Sequence, residues 1–83
     1  MAAIIILLGK PSRDKRAQGF FNSADQYIQS QGMIITDRQP RTYFTEKDIP
    51  VNKVRGLIQT IKNTEGFNIA VKDIFFSGSL TKA

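Results

Sequence analysis

Eighty-three residues without a single cysteine or histidine make one domain, too short for a second core and unable to brace a small one with disulfides or a conventional zinc site. A chain this short buries only about 60 % of the surface it exposes when unfolded, which leaves self-association as the common remaining source of added stability. Twelve Lys and Arg against seven Asp and Glu give a net charge of +5, a balance that attracts polyanionic partners or serves solubility alone.

The longest apolar run, Ala2 to Leu8, falls far short of the roughly 20 residues that span a bilayer, and it lacks the charged start and cleavage site of a secretory signal. A cytoplasmic protein with no membrane partner is expected. Ile4, Ile5, Ile6, Leu7 and Leu8 predict a first strand ended by Gly9 and Pro11. It is apolar at both parities, which suits a central strand covered on each side. From Ala17 the period changes: Ala17, Phe20, Phe21, Ala24, Tyr27 and Ile28 form one helical stripe, Gln18, Asn22, Asp25 and Gln29 take the other side, and Gly32 suits a left-handed cap after Gln31. Met33 to Asp37 and Thr42 to Glu46 read as a hairpin with Gln39 and Pro40 at its tip. A second helix begins near Asp48 or Pro50, buries Val51, Val54, Leu57, Ile58 and Ile61, and stops at Gly66. Phe67, Ile69 and Val71 alternate with Asn68, Ala70 and Lys72 as a last strand, whose phase slips at Lys72 and Asp73 and so predicts a bulge there.

Strand, helix, strand, strand, helix, strand is the order of an α+β, ferredoxin-like two-layer sandwich. Both helices then cover one face of a four-stranded antiparallel sheet with the first and third strands central. Residues 1–76 make up this domain, and 77–83 read as a loose C-terminal tail. The uncovered sheet face would carry apolar side chains from the first strand, so a homodimer joined through it is expected.

The densest charge run, Gly9 to Arg16, lies directly before the first helix. Lys10, Ser12, Arg13, Lys15 and Arg16 would flank the donor-rich helix start as an anion site for phosphate, with Arg38 and Arg41 extending the basic surface from the hairpin tip. Plain solvation of an exposed loop explains the same charges. Gly9-Lys10 does not make a nucleotide-hydrolysing P-loop, because Ile4 stands where the first glycine is needed and Pro11 where Ser or Thr must follow the lysine. Asp14, Asp37, Glu46, Asp48 and Asp73 are scattered over loops and element ends, so no metal site and no cofactor are assigned. Without His or Cys no catalytic residue is assigned either, and proton transfer would fall to Lys, Tyr or carboxylates. The glycine-bearing octapeptide of RNA-recognition domains is absent around Arg41-Thr42-Tyr43-Phe44, although Tyr43 or Phe44, whichever faces outward, would offer a stacking surface.

Thr42-Tyr43-Phe44-Thr45, leading through Asp48 to Val54, Leu57 and Ile58 and then to Phe67-Asn68-Ile69-Ala70-Val71, resembles small ferredoxin-fold toxin-antitoxin proteins of the GhoS endoribonuclease-antitoxin type. The resemblance spans most of the chain, rests on pattern and length, and implies a small RNA-directed regulatory protein. The sequence departs from CRISPR adaptation nucleases and VapD-type ribonucleases, which carry an acidic residue where Gly9 and Lys10 stand, so no catalytic residue is transferred. Three expectations follow. The first is a regulatory binding module that holds nucleic acid, RNA ahead of DNA, or an acidic protein through the basic loop. The second is a phage or mobile-element inhibitor that binds a host protein through its sheet face or edge. The third is a metal-independent endoribonuclease.

Overall fold

The β-branched run near the start forms β1 (Ala3–Gly9), and its alternation of buried and half-buried residues shows that the two faces of the sheet are not equivalent. The computed structural model describes residues 3–78. Ala3, Ile5 and Leu7 are buried against the helices, while Ile4, Ile6 and Leu8 lie on the other face. Helix α1 (Lys15–Ser30) buries Ala17, Phe20, Ala24 and Ile28 at intervals of three and four residues, the stripe expected of an amphipathic helix. Gly32, at φ 92°, turns the chain in the left-handed region that favours glycine.

The hairpin consists of β2 (Ile34–Arg38) and β3 (Arg41–Thr45), joined by Gln39 and Pro40. Ile35 faces Tyr43 and Asp37 faces Thr42, which leaves Thr36 as an extra residue and brings Arg38 directly opposite Arg41. Helix α2 (Val51–Lys62) buries Val54, Leu57, Ile58 and Ile61 as its spacing predicts, while Val51 is only half-buried and the helix ends at Lys62, before Gly66. The chain closes with a single helical turn, α3 (Phe67–Ala70), and β4 (Val71–Ser77).

The four strands form one antiparallel sheet in the order β2-β3-β1-β4, with β1 and β3 at the centre. With three helices beside this sheet, the molecule is an α+β fold. Among the described residues no helix is long and apolar enough to cross a membrane.

Two expectations need correction. Phe67 to Ala70 are not strand: Gly66, at φ 93°, starts a helical turn closed by the Ala70 N–H donating to the Gly66 carbonyl at 3.0 Å. Phe67 and Ala70 lie three apart on that turn, so apolar spacing that reads as alternation over 67–71 is met by one turn followed by a strand. The fold therefore holds three helices where two were expected. Ser77, assigned to the tail, pairs with Ile4 as the last residue of β4, and residues 79–83 of that tail lie outside the described residues. The expected phase slip does occur: Leu8 faces Asp73 and Gly9 faces Val71, so Lys72 is the bulged residue.

Candidate anion-binding cleft

The end of β1, the start of α1 and the β2–β3 hairpin meet around a cleft of about 550 Å³. Lys10 and Pro11 line it from the loop after β1, Gln18 and Phe21 from α1, Arg38 and Gln39 from the hairpin, and Arg41 from β3, with Leu7 and Gly9 completing it. Its charged side chains are three cations, and its other polar side chains are two amides. No carboxylate lines it.

Each cation is placed by a specific contact or register shift in the fold. The Lys10 backbone N–H donates to the Ala70 carbonyl at 2.8 Å and its Nζ donates to the Asn68 carbonyl at 2.7 Å, so the α3 turn anchors this residue at both ends. Both partners are neutral carbonyls. Arg38 reaches its place through the Thr36 bulge, without which β2 would set Asp37 opposite Arg41. Like charges directly opposite on two strands repel by a few tenths of a kcal/mol up to about 1 kcal/mol.

Arg41 is the least exposed of the three, with 11 % of its side chain exposed. Its guanidinium carbon lies 5.0 Å from the centre of the Phe21 ring, a cation–π distance, and its Nε lies 3.6 Å from Asp25 Oδ1. That oxygen already accepts a 2.6 Å hydrogen bond from the Tyr43 hydroxyl. Burial pushes the Tyr43 phenol well above its ordinary range, and the bonded Asp25 carboxylate pushes it further while Arg41 opposes. Tyr43 is thus held as a neutral donor that fixes Asp25 and is poorly suited to accept a proton. Arg41 Nε and Nη1 are buried and find no hydrogen-bond partner among the described residues, so one shared carboxylate only partly offsets this charge.

The basic loop divides. Lys10 joins Arg38 and Arg41 in the cleft, whereas Ser12, Arg13, Asp14 and Lys15 line an adjoining depression that shares Lys10, Gln18 and Phe21 with it. Arg16 leaves the group: its Nη2 pairs with Asp14 Oδ2 at 2.8 Å, and it borders a groove with Glu65 on the far side. Asp14 caps α1 by accepting the Arg16 backbone N–H at 2.9 Å, so the chain's own carboxylate occupies part of the donor-rich helix start. The Arg16 guanidinium holds the Asp14 carboxyl below its usual value, and Asp14 raises Arg16 in return. The residues expected together at the helix start are therefore divided, and of them Lys10 alone lines the cleft with Arg38 and Arg41.

Sequence reasoning missed Gln18, Phe21 and Asp25 as members or supports of the site. Their spacing of three and four residues was the available signal, since it puts them on one flank of α1 beside the buried stripe. On the opposite sheet face, Ile4 pairs with Phe44, which pairs with Ile34, and Ile6 pairs with Phe75, giving a continuous apolar surface on which Ile34 is 60 % and Phe75 50 % exposed. Phe44, not Tyr43, is the aromatic of β3 on that side. Among the described residues no group of three or more His, Cys, Asp or Glu converges. No protein-family model, curated protein or solved structure matches the chain.

Proposed function

We propose that this protein is a small regulatory binding module that grips the phosphates of single-stranded nucleic acid, RNA in preference to DNA, in the cleft between the β1–α1 loop and the β2–β3 hairpin. The observation that carries this reading is Arg38 held opposite Arg41 in a cleft that also contains Lys10 and is lined by no carboxylate. Arg13 and Lys15 in the adjoining depression extend the positive charge along a path that a neighbouring phosphate can follow, since Asp14, which also lines it, is paired with Arg16. The strand order, with β1 and β3 central and helical crossovers joining β1 to β2 and β3 to β4, supports a ferredoxin-like scaffold as the support for this site. Cleavage finds less support: the chain has no histidine or cysteine, and Tyr43 is committed to Asp25.

Fluorescence anisotropy of labelled single-stranded RNA and duplex DNA at several salt concentrations tests the reading. Three phosphate contacts in the cleft correspond to a slope of log affinity against log salt of about −2 for a single strand. Absence of binding at low ionic strength removes it.

The apolar sheet face supports a second role beside this one, self-association. Ile4, Ile6, Phe44, Ile34 and Phe75 form a surface that a second copy of the chain can cover with the same residues, the self-complementary arrangement of a two-fold dimer.

A further inference from the structure

The cleft concentrates more positive charge than one link of a nucleic-acid backbone can neutralise. Lys10, Arg38 and Arg41 carry three positive charges around about 550 Å³, and Asp25, which contacts Arg41 at 3.6 Å, is at the same time bonded to Tyr43. A phosphodiester brings one negative charge. A phosphomonoester brings about 1.5 to 2 at neutral pH and three acceptor oxygens. The remaining lining suits an end better than a passing strand: Gln18 and Gln39 add amide groups, and Phe21 has its ring engaged by Arg41, so it is not free as a base-stacking platform. The volume lies within the range of pockets that hold a small ligand.

From the like-charged pair, the incompletely compensated buried guanidinium and the absence of lining carboxylates, we propose that the cleft is a receptor for a terminal phosphomonoester, the phosphorylated end of an oligonucleotide, with Lys10, Arg38 and Arg41 as its ligands. This deepens the nucleic-acid reading and rests on it. The phosphate supplies the counter-charge that relieves the Arg38–Arg41 repulsion. Arg41, fixed by Phe21 and Asp25, provides the invariant point of the site. Lys10, tethered to α3, and Arg38, exposed on the hairpin, close over the other oxygens.

The chain has no histidine, which makes pH a clean probe. The ionisable groups around the cleft are Lys10 from the loop, Arg38 and Arg41 from the strands, Asp25 from α1, Tyr43 from β3, and Arg13, Asp14 and Lys15 in the adjoining depression. Lysine and arginine side chains ordinarily titrate far above neutral and aspartate far below it, whereas the second ionisation of a phosphomonoester falls near pH 6. Binding of a phosphorylated end therefore strengthens between pH 5 and 7.5, and binding through backbone diesters does not.

The test uses the full chain and one fluorescein-labelled RNA decamer in three forms: 5′-phosphorylated, 3′-phosphorylated, and hydroxyl at the unlabelled end. The expected result is at least tenfold tighter binding of one phosphorylated form over the hydroxyl form, growing severalfold from pH 5 to 7.5, with the two arms identifying which end is read. Lys10→Gln and Arg38→Gln, both at exposed positions, should abolish that preference while far-ultraviolet circular dichroism stays unchanged. Equal, pH-independent affinity for all three decamers overturns the end-receptor inference and leaves the nucleic-acid reading standing. No binding of any decamer overturns both.

Discussion

Tyr43 sits at the centre of the sheet, and its hydroxyl donates to an aspartate that also faces a buried arginine, so its protonation is tied to the integrity of the site. Its pKa is raised on folding, first by burial and then by Asp25. A group that holds its proton more tightly when folded contributes stability that is fully present below its unfolded pKa, near 10, and lost as pH rises toward the folded value. Urea unfolding should therefore show a falling midpoint above pH 10, with at most about 1.4 kcal/mol per pH unit arising from this group. Tyr43→Phe should flatten that alkaline decline and cost about 1–2 kcal/mol at neutral pH, because Asp25 loses its donor. An equally steep decline in the variant would assign the alkaline loss elsewhere. At this scale the sequence displayed the cations but not their partners. Lys10, Arg38 and Arg41 are visible as basic residues near turns. That Asp25 turns inward toward Tyr43 depends on side-chain packing across elements that spacing along one chain does not encode, whereas the pairing of Arg16 with an aspartate two positions earlier is a local feature of the helix start.

The helices and the hairpin were legible because their periods are strong and their ends carry turn residues, and the one misassigned element shows where that signal fails. Over four residues the periods of strand and helix cannot be separated, so Phe67 to Ala70 follow the contacts available to them: Phe67 packs edge-on against Phe20 with ring centres 5.7 Å apart, and Ala70 is fully buried. Gly66 makes this turn possible. It adopts φ 93°, and a Cβ built there would lie 2.5 Å from the Arg16 carbonyl oxygen and 3.0 Å from Phe20 Cβ. Gly66→Ala combines a left-handed backbone with a backbone clash and should cost about 2–4 kcal/mol in chemical denaturation. Because α3 anchors Lys10 through the Asn68 and Ala70 carbonyls, the same variant should weaken RNA binding beyond what its unfolded fraction explains. Gly32→Ala is the control: φ is 92° there but a Cβ meets nothing within 4 Å, so only the backbone term of about 1–2 kcal/mol should appear, with binding retained. A Gly66 variant as stable as the Gly32 variant would show that the chain relaxes around the added methyl.

On the scale of the whole molecule, the two faces of the sheet divide the work. One is buried beneath the helices and ends in the cationic cleft, and the other is apolar and uncovered. The apolar face was foreseeable from β1, which has large aliphatic residues at both parities, but its extent depends on register: pairing aligns Ile34, Phe44 and Ile4 in one row and Ile6 with Phe75 in the next. A domain this small has few other means of protecting such a surface. Self-association through it leaves the cleft free, because the cleft arginines share the helix-covered face with Tyr43 and Leu7. Sedimentation velocity across a micromolar concentration series should accordingly show a monomer–dimer equilibrium. Phe75→Asp, at a half-exposed edge position, should shift the protein to monomer at all those concentrations with its fold intact and its affinity for a short RNA unchanged. If the wild-type protein sediments as a monomer throughout, the apolar face does not serve self-association. Loss of RNA binding together with dimerisation in the Phe75 variant would instead mean that two clefts must be presented jointly, so that each grips its own stretch of strand and linkage supplies the affinity that one small site lacks.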